Sequence, residues 1–202
     1  MGYKERFIEV FKNNVHRDGS SDQLLSYLER SDFFTAPAST RFHLSCEGGL
    51  CIHSLNVYDR LVQLLDNQAD KERCFPAGVP DEEINETVAI AALLHDLCKI
   101  HFYQPGTRNV KNPDTGRWET VPTYVIDERF PIGHGEKTTF IIQNYMKLKP
   151  EEAIAIRWHM GEFDNAVKGG DKSLNKAWEK YPLGFMLHMA DMMASHLDEV
   201  DK

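Results

Sequence analysis

The dipeptide His95-Asp96 places two side chains that commonly bind metals inside an apolar stretch, and it constrains the fold more than any other feature. The run from Ile84 to Ile100 is apolar nearly all round, which is typical of a helix at the centre of a protein. A buried imidazole and carboxylate without partners would cost several kcal/mol. We therefore expect a central helix over this run whose His-Asp pair is held by a metal ion.

The length and charge of the chain narrow its class. With 202 residues it can bury a substantial core, and we expect a single domain over residues 1–202. Acidic residues outnumber basic ones by 31 to 23, a formal charge of −8, so nucleic acid is not an expected partner. No run of about 18 apolar residues occurs, and no signal-type apolar stretch follows Met1. We expect a cytoplasmic protein that binds no membrane, whereas its oligomeric state stays open.

The cysteines are too few for a disulfide scaffold, and none forms a CxxC pair. We expect free thiols. Cys51 and Cys98 lie in predicted helices, and we interpret both as small core residues rather than as ligands.

Hydrophobic spacing predicts an all-α bundle with one small β-hairpin inserted after the central helix. Residues 1–45 should hold two amphipathic helices and a loop, and a longer helix over 50–67 should direct His53 inward. Residues 102–128 break the helical pattern, and the turn residues Pro113 to Gly116 predict the hairpin. Helical spacing then returns in four segments: 135–147, 150–160, 173–180 and 183–198.

Histidine and aspartate side chains on the inward faces of these helices suggest a metal site. The candidates are His53, His95, Asp96, His134, His159 and Asp191. Imidazole and carboxylate donors suit Fe, Mn, Zn, Co or Ni, and the shortage of thiolates argues against a structural zinc site. Because a carboxylate has two oxygens, Asp96 could bridge two ions, so we expect one or two divalent transition metal ions.

Alternatives remain open for several of these residues. His134 could instead cap the next helix, and His159 could be structural. We interpret His188 as a core histidine or as a partner of a ligand. The remaining histidines have no supporting pattern and are expected at the surface: His16, His43, His101 and His196.

Charged residues near the pair suggest how a substrate would be held. Lys99 follows His95 by about one helical turn, so it should share its face and reach a phosphate group at the metal; a simple ion pair with Asp96 or Glu136 is the alternative. Glu136 should orient a ligand histidine or act as a base through water. Arg108 and Arg129, in or beside the hairpin, are candidate substrate-binding residues in a lid, although a solvated strand explains them equally well.

The ordered set His53, His95-Asp96 and Asp191, with Gly133 to Glu136 and Arg157 to His159, resembles the HD-domain metal-dependent phosphohydrolase superfamily over residues 45–198. The resemblance implies an all-α bundle in which that first set binds one metal. It also implies that His134 and His159 bind a second metal, and that Lys99 touches substrate phosphate.

The chain also departs from the family pattern. Leu97-Cys98 stands where an aliphatic residue and glycine are usual before the lysine, and no Gly-Tyr-Pro motif follows, which removes support for cyclic di-GMP hydrolysis. The resemblance implies an enzyme that hydrolyses a phosphoester or phosphoanhydride of a small, nucleotide-like substrate. The alternatives are a catalytically idle module that binds a nucleotide or a partner protein, and a di-iron oxygenase.

Overall fold

The computed structural model describes residues 1–17 and 19–200. Within these residues the chain forms α-helices and one antiparallel hairpin, which confirms the predicted fold class. The elements are α1 (Tyr3–Asn14), α2 (Ser20–Arg30), α3 (Gly49–Leu65), α4 (Gln68–Cys74), α5 (Asp81–Leu94), β1 (Tyr103–Lys111), β2 (Trp118–Ile126), α6 (His134–Gln143), α7 (Pro150–Trp158), α8 (Asn165–Lys168), α9 (Ser173–Lys180) and α10 (Leu183–Met193). None of the described helices is long and apolar enough to cross a membrane.

Helix α5 is the centre of the fold, as its apolar sequence predicts. Three acidic residues in its first turn stabilise the helix, because their negative charges lie at the positive end of the helix dipole. Its body is buried on two sides: Ile90 and Leu93 pack into a core shared with α1, α2 and α3, whereas Ala91 packs into a second core shared with α3 and α10. The His95-Asp96 pair, which directly follows α5, therefore lies where several helices meet.

The C-terminal end of α5 differs from the prediction. The helix ends at Leu94 rather than at Ile100, so the expectation of a single helix face carrying the His-Asp pair and Lys99 is wrong. The ring Nδ1 of His95 donates to the carbonyl of Ala92 (2.8 Å), and Leu97–Lys99 forms a tighter 3-10 turn. This turn keeps Lys99 three residues beyond Asp96 and close to it.

The hairpin lies where the turn residues predict it. Strands β1 and β2 pair from Tyr103 opposite Ile126 to Lys111 opposite Trp118, and Gly116 takes a positive φ of 68° in the turn. The base of the hairpin is fixed to the loop before α3, where the Tyr103 hydroxyl donates to the Ala38 carbonyl (3.3 Å). Most residues beyond this base are exposed.

Two helices were not predicted, α4 and the short α8. Helix α4 begins after Asn67, whose side chain accepts from the Ala69 N–H (3.0 Å) and so caps it. At the other end of the chain, the predicted helical segment 183–198 is helical, as α10 followed by a turn of π-helix over Ala194–Asp198. This last turn brings the C-terminal segment alongside α3.

Candidate metal centre

A buried cluster of polar side chains lies where α3, α5, α7 and α10 meet. His53 projects from α3, the His95-Asp96 pair follows α5, His159 follows α7, and Asp191 lies in α10. The first four are at most 2% exposed. Because buried charged and polar groups require partners, the arrangement of their donor atoms decides what the cluster can hold.

Two of the histidines are oriented in the same way by the ends of their helices. His95 Nδ1 faces the Ala92 carbonyl (2.8 Å), and His159 Nδ1 faces the Ile156 carbonyl (2.7 Å). A carbonyl only accepts hydrogen bonds, so each Nδ1 carries the proton and each neutral ring presents a lone pair on Nε2. Both lone pairs point into the cluster, which is the orientation that metal-binding histidines have.

His53 is held by a carboxylate instead. Its Nδ1 donates to Glu199 (3.0 Å), and its Nε2 lies 3.2 Å from Nε2 of His95 and 3.2 Å from Oδ1 of Asp191. Asp96 Oδ2 is 3.6 Å from the same His53 nitrogen. The Nε2 atoms of His53 and His95 and an oxygen of Asp191 thus form one donor group in which a cation would be satisfied, and Asp96 borders this group through His53.

The Nε2 atom of His159 has no hydrogen-bond partner although the residue is fully buried. It lies 3.8 Å from Asp96 Oδ1. An unpaired buried acceptor beside a carboxylate is costly, and a metal ion between the two would remove that cost. This orphaned nitrogen shows that the residues present fit a metal.

Across the described part of the chain, four overlapping groups of three residues place one donor atom each within 4.8 Å of one another. The groups are His43, His53, Glu199; His53, His95, Asp191; His95, Asp96, His159; and Asp96, Cys98, His134. The structure therefore brings all six predicted metal ligands together. His134 and His159, predicted to share one site, fall in different groups that meet at Asp96.

His134 reaches the cluster from the start of α6. Gly133, with a φ of 98°, is the N-cap residue, so His134 does not serve as the cap. His134 Nε2 donates to Asp96 Oδ1 (2.8 Å). A Cβ on Gly135 would lie 2.3 Å from the Arg157 carbonyl, so only glycine lets α6 approach α7 closely enough to hold His134 here.

The charged residues expected near the metal divide into two sets. Lys99 Nζ pairs with Asp96 Oδ2 (2.6 Å) and lines the cleft above the cluster. Glu136 pairs instead with Arg157 and lies outside that lining. Neither Arg108 nor Arg129 lines the cleft. Arg108 is exposed on β1, and Arg129 pairs with its neighbour Asp127.

Two contributors were missed by the sequence reasoning. The Glu199 side chain is fully buried and also accepts from Asn56 Nδ2 (2.9 Å), so it fixes the ring of His53. His43, expected at the surface, lies with its ring 5.0 Å from that of His53. A spacing of four residues from Asp191 through Ser195 to Glu199 was the available signal for the first; the loop around His43 offered none.

The carboxylates of the cluster stay ionised. Burial opposes the charge of Asp96, but Lys99 and the hydrogen bond from His134 outweigh it and hold the pKa of this carboxyl well below its usual range. Burial also opposes the charge of Asp191, and the hydrogen bond from His53 lowers the pKa of that carboxyl despite it. Two negative charges on either side of His53 Nε2 give the cluster a strong attraction for a cation.

The surroundings shift the pKa values of two histidines, His53 and His159, in opposite directions. Burial opposes protonation of His53, but its bonds to Asp191 and Glu199 raise its pKa to about 10. At His159, burial and then two neighbouring imidazoles lower the pKa to about 3, so its ring is neutral and free to bind a metal. The field of the cluster therefore favours positive charge on the α3 and α10 side.

A cleft of about 950 Å³ opens directly above these residues. Its floor is polar, and its walls carry apolar and aromatic side chains: Phe42, Phe102, Tyr103, Met160, Phe163 and Met192. His188 also lines it and donates from Nδ1 to the His159 carbonyl (2.6 Å), which agrees with its interpretation as a partner of a ligand. This size and lining suit a small ligand with one polar and one apolar end.

Residues 50–197 match the protein-family model described as HD domain. The matched span covers well over half of the chain and includes His53, the His95-Asp96 pair and Asp191. No curated protein and no solved structure matches the chain.

Proposed function

Because the chain belongs to the HD-domain family, we propose that it is a metal-dependent phosphohydrolase that cleaves a phosphoester or phosphoanhydride bond of a nucleotide-like small molecule. The family indicates the reaction class, and the geometry of the site supports the rest of the proposal.

The observation that carries the proposal is the position of Asp96. Its two oxygens lie between the histidines on one side and Lys99 on the other: Oδ1 accepts from His134 (2.8 Å) and Oδ2 pairs with Lys99 (2.6 Å). A carboxylate shared by metal donors and by a cleft-facing lysine would bring a cation and a phosphate group together at one point, as metal-assisted hydrolysis of a phosphate ester needs.

In this proposal His53, His95, Asp96 and Asp191 hold the first metal, and His134 and His159 contribute to a second. When bound, a divalent transition metal supplies a Lewis acid that activates water near neutral pH and polarises a phosphoryl oxygen. The oriented Nε2 atoms of the histidines keep the donor set in place, so little reorganisation accompanies binding.

Lys99 binds the phosphate group. Burial works against its charge, yet Asp96 raises the pKa of Lys99 above its ordinary value, so it remains an ammonium over the whole working range. When Asp96 ligates a cation, the three N–H donors of Lys99 can turn toward a phosphate oxygen and offset the charge that develops during bond cleavage.

The walls of the cleft favour a substrate with an aromatic group. Phe42 and Phe163 line it and are 71% and 54% exposed, so their rings are available for stacking. A phosphate on the polar floor and a base against these rings would fill the cleft as a nucleotide does. The formal charge of −8 disfavours longer polyanions.

The test combines metal analysis with phosphate release. The purified protein should contain a transition metal and should release inorganic phosphate from members of a nucleotide panel in the presence of Mn²⁺. Asp96→Ala should abolish both, whereas Asp114→Ala, an exposed change in the hairpin turn, should alter neither. No metal and no phosphate release from the wild-type protein would contradict the proposal. Nucleotide binding that survives Asp96→Ala without any turnover would favour an idle binding module.

A further inference from the structure

Cys98 does not behave as a simple core residue. Of the four cysteines, all in the described part of the chain, it alone belongs to a group of donor atoms within metal-binding reach. Its Sγ lies 3.3 Å from Nδ1 and 3.4 Å from Nε2 of His134, and the residue is 4% exposed. The thiol therefore contacts the ring of a predicted metal ligand.

The sulfur is held in this position by the backbone. Cys98 lies in the 3-10 turn after Asp96, and its N–H donates to Oγ1 of Thr138 on α6 (3.1 Å). Thr138 is itself fully buried, one turn after His134. The turn and α6 thus fix Cys98 and His134 against each other.

The unpartnered nitrogen of His159, in the adjoining donor group that shares Asp96, independently points to a cation beside this carboxylate. His159 Nε2 is fully buried, lacks a hydrogen bond and faces Asp96 Oδ1 at 3.8 Å. That oxygen also accepts from His134 Nε2 at 2.8 Å. A cation beside Asp96 Oδ1 would meet the carboxylate, the His134 ring and the Cys98 sulfur within one donor group.

We propose that Cys98 is a thiolate ligand of the second metal, beside Asp96 and His134, and that it selects a thiophilic divalent ion such as Zn²⁺ or Co²⁺ over Mn²⁺ or Mg²⁺. The inference rests on the proposed function, because it assigns a ligand to the metal centre on which that function depends. Soft thiolate donors favour Zn²⁺ and related ions, whereas carboxylate and water donors suit Mg²⁺ and Mn²⁺. On binding, the thiol releases its proton to solvent and the sulfur lone pair forms the bond to the metal.

The test is a Co²⁺ titration of the chelator-treated protein, read by absorption and by equilibrium dialysis. A sulfur-to-cobalt charge-transfer band in the near ultraviolet reports a thiolate ligand directly, and it does not depend on activity. The wild-type protein should bind two Co²⁺ ions and develop this band. Cys98→Ser and Cys98→Ala should both lack the band. Their second Co²⁺ should bind at least about tenfold more weakly, since even loss of an outer hydrogen-bond partner weakens metal sites about 10- to 100-fold.

The matched control is Cys51→Ser, because Cys51 is equally buried, in α3, but belongs to no donor group. It should keep the band. Circular dichroism of every variant checks folding, and two replacements at Cys98 guard against a variant that does not fold. The band should persist at an excess of Mg²⁺.

Each other result overturns the inference. Two bound Co²⁺ ions without a charge-transfer band would remove Cys98 from the ligand set, while Mn²⁺-dependent phosphate release would show that the proposed function stands. A band retained in both Cys98 variants, or lost in Cys51→Ser, would place the sulfur elsewhere. Absence of any Co²⁺ binding, together with no phosphate release, would overturn this inference and the proposed function together.

Discussion

The His95-Asp96 pair and the β-hairpin lie on either side of Lys99 in the sequence, yet the structure buries the first and exposes the second. The cluster buries His95 and Asp96 and surrounds them with oriented polar atoms. The hairpin exposes Arg108 and most of its other side chains. Proximity in sequence to the His-Asp pair therefore does not make a residue part of the site; position relative to the helix ends does.

The largest effect should follow from Asp96→Asn, which keeps the shape of the side chain and removes its charge. We expect kcat/KM for phosphate release to fall at least about 1000-fold, because metal binding and charge stabilisation are lost together. Steady-state kinetics with metal analysis measures this. A loss of less than tenfold with metal retained would mean that Asp96 is not the central ligand.

Lys99→Ala should have the next largest effect. Removal of its ammonium should lower kcat/KM about 100-fold, in the range seen when one donor to a developing charge is lost. The metal content should stay unchanged, since Lys99 is not a ligand. Lys99→Arg tests geometry, because a planar guanidinium is not a substitute for a compact ammonium. If metal is lost along with activity, Lys99 acts by holding Asp96 and not by binding phosphate.

Glu199→Gln tests whether the carboxylate behind His53 strengthens the site. We expect metal affinity to fall about 10- to 100-fold, because the amide holds the Nδ1 proton of His53 less strongly. Its sequence neighbour supplies the control: Asp198 pairs with Arg60 at the surface, so Asp198→Asn should leave metal affinity unchanged. Isothermal titration with Zn²⁺ measures the metal affinity of both variants. Equal affinities would mean that Glu199 does not strengthen the site.

The smallest effect is expected in the hairpin. Arg108→Ala should change kcat/KM less than about twofold and the free energy of unfolding by less than about 0.5 kcal/mol, as exposed substitutions usually do. Kinetics and denaturant unfolding measure the two quantities. A tenfold rise in KM would bring the hairpin into the site as a lid and would weaken the contrast between the two regions.

The elements that were predicted correctly each have a local signal in the sequence. The apolar run through Ile90 predicted the central helix, and the turn residues around Gly116 predicted the hairpin. The end of α5 was missed because neither glycine nor proline marks it; a bond from the His95 side chain to the Ala92 carbonyl accompanies the change to a tighter turn.

Parts of the candidate site depend on contacts between distant segments, and these could not be predicted. Glu199 contacts His53 across 146 positions of the chain, and Cys98 contacts His134 across 36. Only the packing of α3, α6 and the C-terminal turn brings these atoms together. The ligand types were recognisable from the sequence, whereas their grouping around Asp96 required the fold.

The most direct test of the central claim is an anomalous difference map from crystals of the wild-type protein grown with Mn²⁺. The account predicts a peak bounded by Nε2 of His53 and His95 and by the carboxylates of Asp96 and Asp191. Well-ordered side chains at these positions with no peak between them, in crystals that contain Mn²⁺ elsewhere, would contradict it.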